Sequence, residues 1–129
     1  MRSLRIDRRT LLRAATVGAL AVPGLVRSDR PVLTHGVQSG DVVRGSGLVW
    51  TRADRPSRMV VEVSDDPGFA HARRVEGPVL TPDTDFTGKV RVLGAGRTVH
   101  YRVTAEDLDG RVASEPVTGV FRTPPARSE

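Results

Sequence analysis

Residues 97–106 read Arg-Thr-Val-His-Tyr-Arg-Val-Thr-Ala-Glu, and this stretch decides the fold. The odd-numbered side chains from residue 99 to residue 105 are apolar, whereas the even-numbered ones are polar or charged. A period of two places one set of side chains in a core and the other set in water, as in a half-buried β-strand. The inward set is therefore predicted to be Val99, Tyr101, Val103 and Ala105.

Further short runs of β-favouring residues lie along the chain, and turn-forming residues separate them. The seven predicted strands, in chain order, are Leu33–Ser39, Gly47–Ala53, Arg58–Ser64, Ala72–Glu76, Thr84–Leu93, Arg97–Glu106 and Val117–Arg122. Short strands at intervals of roughly a dozen residues are typical of a β-sandwich of the immunoglobulin or fibronectin type III kind. The fold class is therefore predicted to be all-β, and Trp50 is predicted to be its central core aromatic.

Three connections are predicted as turns from their Gly, Asp and Pro content. Asp65-Asp66-Pro67-Gly68 supplies a glycine for a positive φ, and Gly94-Ala95-Gly96 is predicted to join two strands as a hairpin. Asp109-Gly110 predicts a tight hairpin. Thr123-Pro124-Pro125 is expected to end the domain, because proline cannot donate a hydrogen bond to a sheet.

Composition limits the classes of function that this chain can have. Its 129 residues fit one sizeable domain, and the absence of cysteine excludes disulfides and thiolate metal sites. The formal net charge is +5, but residues 1–21 hold five arginines and one aspartate, so the remainder is nearly balanced. Nucleic-acid binding through a basic surface needs clustered Lys or Arg, and is therefore not expected.

The N-terminus has the pattern of a twin-arginine export signal. Arg8 and Arg9 are followed by Leu11 and Leu12, and then by a short apolar stretch that is too weak to span a bilayer. Small residues at Ala19 and Ala21 predict a signal-peptidase site, with cleavage after the second alanine. We expect export by the twin-arginine translocase to the cell envelope or beyond, with no stable membrane anchor after cleavage. The alternative is an amphipathic N-terminal helix of a cytoplasmic protein.

No catalytic, cofactor-binding or metal-ligating residue is predicted. The three histidines, His35, His71 and His100, lack the spacing of metal ligands. Residues 106–110 are acidic in the manner of a calcium loop, but they lack its downstream glutamate, and turns favour aspartate in any case. Residues 34–41 could form a nest of backbone donors for an anion. The favoured interpretation of residues 34–41 is a strand with a bulge that leads into a turn.

Two stretches together resemble the opening of the alkaline phosphatase D family. They are His35-Gly36-Val37-Gln38-Ser39-Gly40-Asp41 and Leu48-Val49-Trp50-Thr51-Arg52, the second with one apolar residue shifted. Asp65–Phe69, Tyr101-Arg102-Val103 and Phe121–Pro124 resemble later parts of the same N-terminal domain. The resemblance extends from about residue 33 to residue 125.

This resemblance implies a secreted hydrolase of phosphate mono- and diesters. The family uses iron and calcium in a large metallophosphatase domain that follows the N-terminal one, and its ligand residues have no matching positions here. Residues 1–30 are therefore predicted to be the signal peptide and a short linker, 31–125 the N-terminal β-sandwich domain, and 126–129 a tail. We expect a non-catalytic domain, truncated or split from its enzyme, that packs on and frames a metallophosphatase domain absent from this chain. The alternative is an independent secreted fibronectin-like module that binds a wall polymer or a protein.

Overall fold

Seven antiparallel strands form two facing sheets in the computed structural model, which describes residues 29–125. The sheets have the strand orders β1-β2-β5 and β4-β3-β6-β7, so the predicted all-β sandwich is confirmed. In the described part of the chain, no helix is long and apolar enough to cross a membrane. The strands are β1 (Leu33–Val43), β2 (Ser46–Ala53), β3 (Ser57–Ser64), β4 (Arg73–Leu80), β5 (Thr87–Leu93), β6 (Thr98–Glu106) and β7 (Val117–Arg122).

The core lies between the two sheets and follows the alternation of β6. The four predicted inward residues of β6 are at most 2% exposed, which confirms the assignment. The rings of Tyr101 and Phe121 pack with their centroids 6.0 Å apart at an angle of 40°. Apolar residues of the other strands complete this core, among them Val49, Met59, Val61, Leu80 and Val92.

Buried polar side chains are satisfied within the sandwich. Thr51 is fully buried, and its hydroxyl donates a 2.8 Å hydrogen bond to the carbonyl of Gly36. Ser114 accepts the backbone N–H of Ala105 at 2.9 Å and donates to the carbonyl of Glu115 at 3.0 Å. Within residues 29–125, every buried side-chain nitrogen or oxygen has a hydrogen-bond partner.

The prediction that Gly94-Ala95-Gly96 joins two strands as a hairpin is wrong. β5 pairs with β2 in the three-stranded sheet, whereas β6 belongs to the four-stranded sheet, so these residues carry the chain across the sandwich. The crossing needs a close approach, because a Cβ at Gly94 would lie 2.2 Å from Cγ2 of Val99.

The boundaries of three strands also differ from prediction by three residues or more. β4 continues to Leu80 rather than ending at Glu76. β5 begins at Thr87 rather than Thr84, because Pro82–Thr84 form a 3-10 turn and the next two residues, Asp85 and Phe86, both have φ of 56°. β1 continues to Val43, with irregularities in its pairing around Gly36 (φ 68°) and Asp41 (φ 46°). The favoured interpretation of residues 34–41, a bulged strand, is therefore confirmed.

The remaining turns use their acidic residues as backbone acceptors. The Asp66 carboxylate accepts the N–H groups of Gly68 and Ala70, but the positive φ falls on Phe69 (54°) rather than on the glycine, which corrects the prediction. Gly110 has the expected positive φ of 70°, but β6 and β7 are joined by a wider loop than a tight hairpin.

Asp54 ties the start of the described chain to the end of β2. Burial alone would raise its pKa, but hydrogen bonds from the Arg55 guanidinium and from the backbone N–H of Val32 outweigh burial and lower that pKa. Its carboxylate is therefore held in the charged form.

Acid is expected to destabilise the domain through three carboxylates. The Arg102 guanidinium lowers the pKa of Glu62, backbone N–H groups led by that of Gly68 lower the pKa of Asp66, and the pKa of Asp54 is lowered as described. A lowered folded-state pKa adds stability above the unfolded value of about 4, and this stability is lost as the pH falls through the folded value. The urea midpoint should therefore be lower at pH 3 than at pH 7.

The Glu62→Gln variant is the control for this pH dependence. It lacks one of the titrating carboxylates, so it should show a smaller loss between pH 7 and pH 3 than the unsubstituted chain. A urea midpoint that stays constant or rises on acidification contradicts the prediction.

Candidate functional site

The residues predicted for export lie outside the part of the chain that the structure describes. These are Arg8, Arg9, Leu11 and Leu12 of the signal and Ala19 and Ala21 of the cleavage site. The histidines, in contrast, are described and lie on separate elements, on β1, in the loop after β3 and on β6. From residue 29 to residue 125, no three His, Asp or Glu side chains come together in a way that could hold a metal ion.

Trp50 does not lie in the core, so this prediction is wrong. The inward positions of β2 are Val49 and Thr51, both fully buried, and strand alternation therefore turns the intervening Trp50 outward, where it is half-buried. A shift of one residue in a strand exchanges its two faces, and both faces of β2 contain large apolar residues. The large size of the tryptophan side chain therefore led to the wrong prediction that Trp50 lies on the inner face of β2.

The outer surface of the three-stranded sheet around this indole is named the Trp50 face. Gln38 of β1 and Lys89 of β5 are the register partners of Trp50, and Gly40 and Arg91 are those of Leu48. The face is defined by these side chains together with Arg52 at the end of β2.

Two grooves flank the Trp50 side chain. One, of about 270 Å³, lies toward β1 and is lined by Leu48 and Gln38. The other, of about 400 Å³, lies toward β4 and is lined by Pro78 and Val79. Trp50 and Lys89 each border both grooves, so these two side chains form the ridge between them.

Ion pairs surround this ridge. Arg52 donates to the Asp85 carboxylate at 3.0 Å, and Arg91 is paired with Asp41. Lys89 differs from these arginines, because no carboxylate of the described residues lies within 4.0 Å of its ammonium group. The Trp50 face therefore has an apolar centre, a rim of ion pairs and one cation, Lys89, without an acidic partner among residues 29–125.

On the outer face of the four-stranded sheet, charged side chains pair with one another. Arg102 makes two hydrogen bonds to Glu62, at 3.0 and 2.9 Å, and Arg74 makes two to Glu106, at 2.9 and 3.0 Å. The Phe69 ring lies 4.5 Å from the Arg102 guanidinium carbon, a cation–π contact. No comparable network covers the indole on the opposite face among the residues described.

A smaller cleft of about 120 Å³ lies at the end of the sandwich where β3 and β5 end. Asp65, His71 and Arg73 line it, and the Arg73 guanidinium donates to the carbonyl of Leu93 at 2.5 Å. The Arg73 side chain thus links the two sheets.

The chemistry available to the Trp50 face is binding: stacking on the indole, burial of apolar surface and pairing with an ammonium group.

Comparisons with known proteins identify the domain. The family model described as "PhoD-like phosphatase, N-terminal domain" matches residues 19–125. A solved structure of PhoD is similar to this chain with a TM-score of 0.62 and 22% identity, over 78% of this chain and 21% of that one. A redesigned β-sandwich protein is similar with a TM-score of 0.50 and 16% identity, over 75% of this chain and 96% of that one. No curated protein matches the chain.

These matches differ in what they establish. At such low identity, the solved structures show the fold alone, and this chain spans about a fifth of the length of the PhoD chain, 21%. The family model covers most of this sequence, from residue 19 to residue 125, and it agrees with the resemblance read from the motifs. The chain therefore belongs to the PhoD-like phosphatase family, as its N-terminal domain.

Proposed function

We propose that this domain is the non-catalytic N-terminal part of an exported phosphate-ester hydrolase. It packs on a metallophosphatase domain that lies outside the 129 residues and frames the entrance to that domain's active site. The observation behind the proposal is the match of residues 19–125 to the N-terminal domain of PhoD-like phosphatases. Catalysis, with iron and calcium, is assigned to the other domain.

The arrangement of side chains supports a binding role over a catalytic one. Hydrolysis of a phosphate ester by two metals requires a clustered set of metal ligands that clamps the attacking and leaving oxygens. The described histidines and acids are dispersed, and the Asp66 and Asp107 carboxylates accept backbone N–H groups within their own loops.

Export by the twin-arginine route is part of the proposal. Arg8 and Arg9 form the core of the signal, and that route carries proteins that are already folded, often with a metal loaded. A signal of this kind suits an enzyme that binds its metals before export. The domain then reaches the cell envelope or the medium as part of that enzyme.

The DNA that follows the codon for Glu129 is expected to encode a metallophosphatase domain, in frame or in a shifted frame. That domain, produced separately and mixed with the full 129-residue chain, should form a one-to-one complex in analytical ultracentrifugation. Phosphate release from p-nitrophenyl phosphate should require the metallophosphatase domain.

The full chain alone is the control for this experiment. We expect it to release no phosphate, with or without added iron and calcium. Metal-dependent turnover by the chain alone contradicts the proposal, as does downstream DNA that encodes no metallophosphatase in any frame. A monomeric chain that does not bind the metallophosphatase domain but binds a wall polymer would support the alternative, an independent binding module.

A further inference from the structure

We propose that the Trp50 face is the surface that docks onto the metallophosphatase domain, with Trp50 at its centre. This inference rests on the proposed function and adds to it the place of contact and the chemistry of the partner surface. The partner surface is apolar where it meets the indole, and it presents a carboxylate to Lys89.

The first argument is the distribution of polarity over the two outer faces. Protein interfaces have an apolar, aromatic-rich centre and a polar rim. The Trp50 face has this anatomy, with Leu48 and Trp50 between the ion pairs of Arg52 and Arg91. On the opposite outer face, the guanidinium groups of Arg74 and Arg102 are already paired with carboxylates.

The second argument is charge complementarity. Two arginines and one lysine lie on the Trp50 face or its rim, and Asp85 and Asp41 pair with the arginines. The charge of Lys89, the only lysine of the chain, is not compensated, so the face has a net positive charge beside the indole. A partner that covers Trp50 must approach this ammonium group, and a charge that is buried without a counter-ion is costly. The partner surface is therefore expected to supply an acid.

The third argument is the shape of the backbone near the indole. Gly40 lies opposite Leu48, and a Cβ there would meet no atom within 4 Å, so the absence of a side chain leaves the groove toward β1 open. On the other side of the indole lies the groove toward β4, of about 400 Å³. A partner can therefore reach both sides of the Trp50 ridge.

The fourth argument is the place where the chain leaves the sandwich after β7. β7 leads to Pro125 at the end of the sandwich where β2 begins; the Thr123 N–H donates to the Arg97 carbonyl at 2.8 Å, and the Phe121 ring packs over Gly47. The matched PhoD chain is nearly five times as long as its matched part, 21%. Rounding a sandwich about 10 Å deep takes roughly three to four extended residues. A domain that follows β7 can therefore reach the Trp50 face.

The test measures binding of the full chain to the metallophosphatase domain encoded downstream, by isothermal titration calorimetry. Central aromatic residues dominate binding energies, so Trp50→Ala should raise the dissociation constant at least about 10-fold. Lys89→Glu should raise it more than Lys89→Met, because only the first places like charges opposite each other. Leu108→Ser is the matched control: this leucine is 60% exposed, at the end of the sandwich far from the exit, and its loss should leave binding unchanged.

Chemical labelling of Lys89 gives a second, independent measurement. Because the chain has one lysine, acetylation of its ε-amino group by a soluble activated ester can be followed on a single peptide. The metallophosphatase domain should slow this labelling. Unfolding curves of the variants establish that each is folded before binding is compared.

The outcomes separate the two proposals. If the unsubstituted chain binds the metallophosphatase domain and Trp50→Ala and Lys89→Glu bind equally well, the docking face is wrong and the proposed function stands. If the unsubstituted chain does not bind, the proposed function fails and the docking face fails with it. Two other results also overturn the assignment. The first is a dimer of this chain that Trp50→Ala abolishes. The second is retention on purified cell-wall glycan that depends on Trp50, while the metallophosphatase domain fails to protect Lys89 from labelling.

Discussion

Tyr101→Ala is expected to bring the domain close to global unfolding. Tyr101 is 2% exposed at the centre of β6, and its ring packs against Phe121. Truncation of a buried aromatic side chain costs about 3–5 kcal/mol, and a domain of this size has about 5–15 kcal/mol in total. The melting temperature should fall by at least about 15 °C. Thermal unfolding followed by circular dichroism measures the change.

Two further variants separate the contribution of the ring from those of the hydroxyl and the neighbouring backbone. Tyr101→Phe keeps the ring and should cost about 1 kcal/mol or less. Gly119→Ala leaves the tyrosine in place, but its Cβ would lie 2.3 Å from the tyrosine Cζ, so the ring must shift at a cost of about 1–3 kcal/mol. If Tyr101→Ala unfolds no more readily than Tyr101→Phe, the ring is not a core element.

The assignment of Tyr101 to the core was accessible from the sequence, because the two faces of β6 differ in kind. One face is entirely apolar and the other polar, so only one orientation buries the apolar set. The predicted inward residues of β3, Met59, Val61 and Val63, are also buried, although Val60 on the other face of this strand is apolar and buried as well. The family assignment from the motifs was also correct, because those motifs occur in order along most of the domain.

The candidate site could not be predicted from the alternation of apolar and polar residues in the strands. In β2 the inner Val49 and the outer Trp50 are both apolar, so patterning leaves its orientation open, and the large size of tryptophan favoured the wrong face. The pairing partner of β5 posed a similar problem. Residues 94–96 have the composition of a hairpin turn, but they connect β5 of one sheet to β6 of the other. Gly94 allows this connection because it packs tightly against Val99. Such long-range partners are set by the whole sandwich rather than by local turn residues.

Exchanging neighbouring residues of β2 for aspartate should give opposite results. Val49 is fully buried, so Val49→Asp places a carboxylate in the core, where no described cation is positioned to pair with it. An unpaired buried charge costs several kcal/mol even after relaxation, and the loss of valine burial adds to this cost. We expect the Val49→Asp chain to be unfolded at 25 °C.

Trp50→Asp should remain folded, because its side chain lies on the outer face and has water beside it. The new carboxylate would lie directly across the strand pair from Lys89, and an opposite-charge pair of this kind contributes roughly 0.2–1 kcal/mol. This gain offsets part of the lost indole packing, so a net cost of about 1–2 kcal/mol is expected on the scale of ordinary substitutions. Urea unfolding of the two variants measures the contrast. The reverse result, an unfolded Trp50→Asp beside a folded Val49→Asp, would mean that β2 is turned by one residue, and the Trp50 face would then be part of the core.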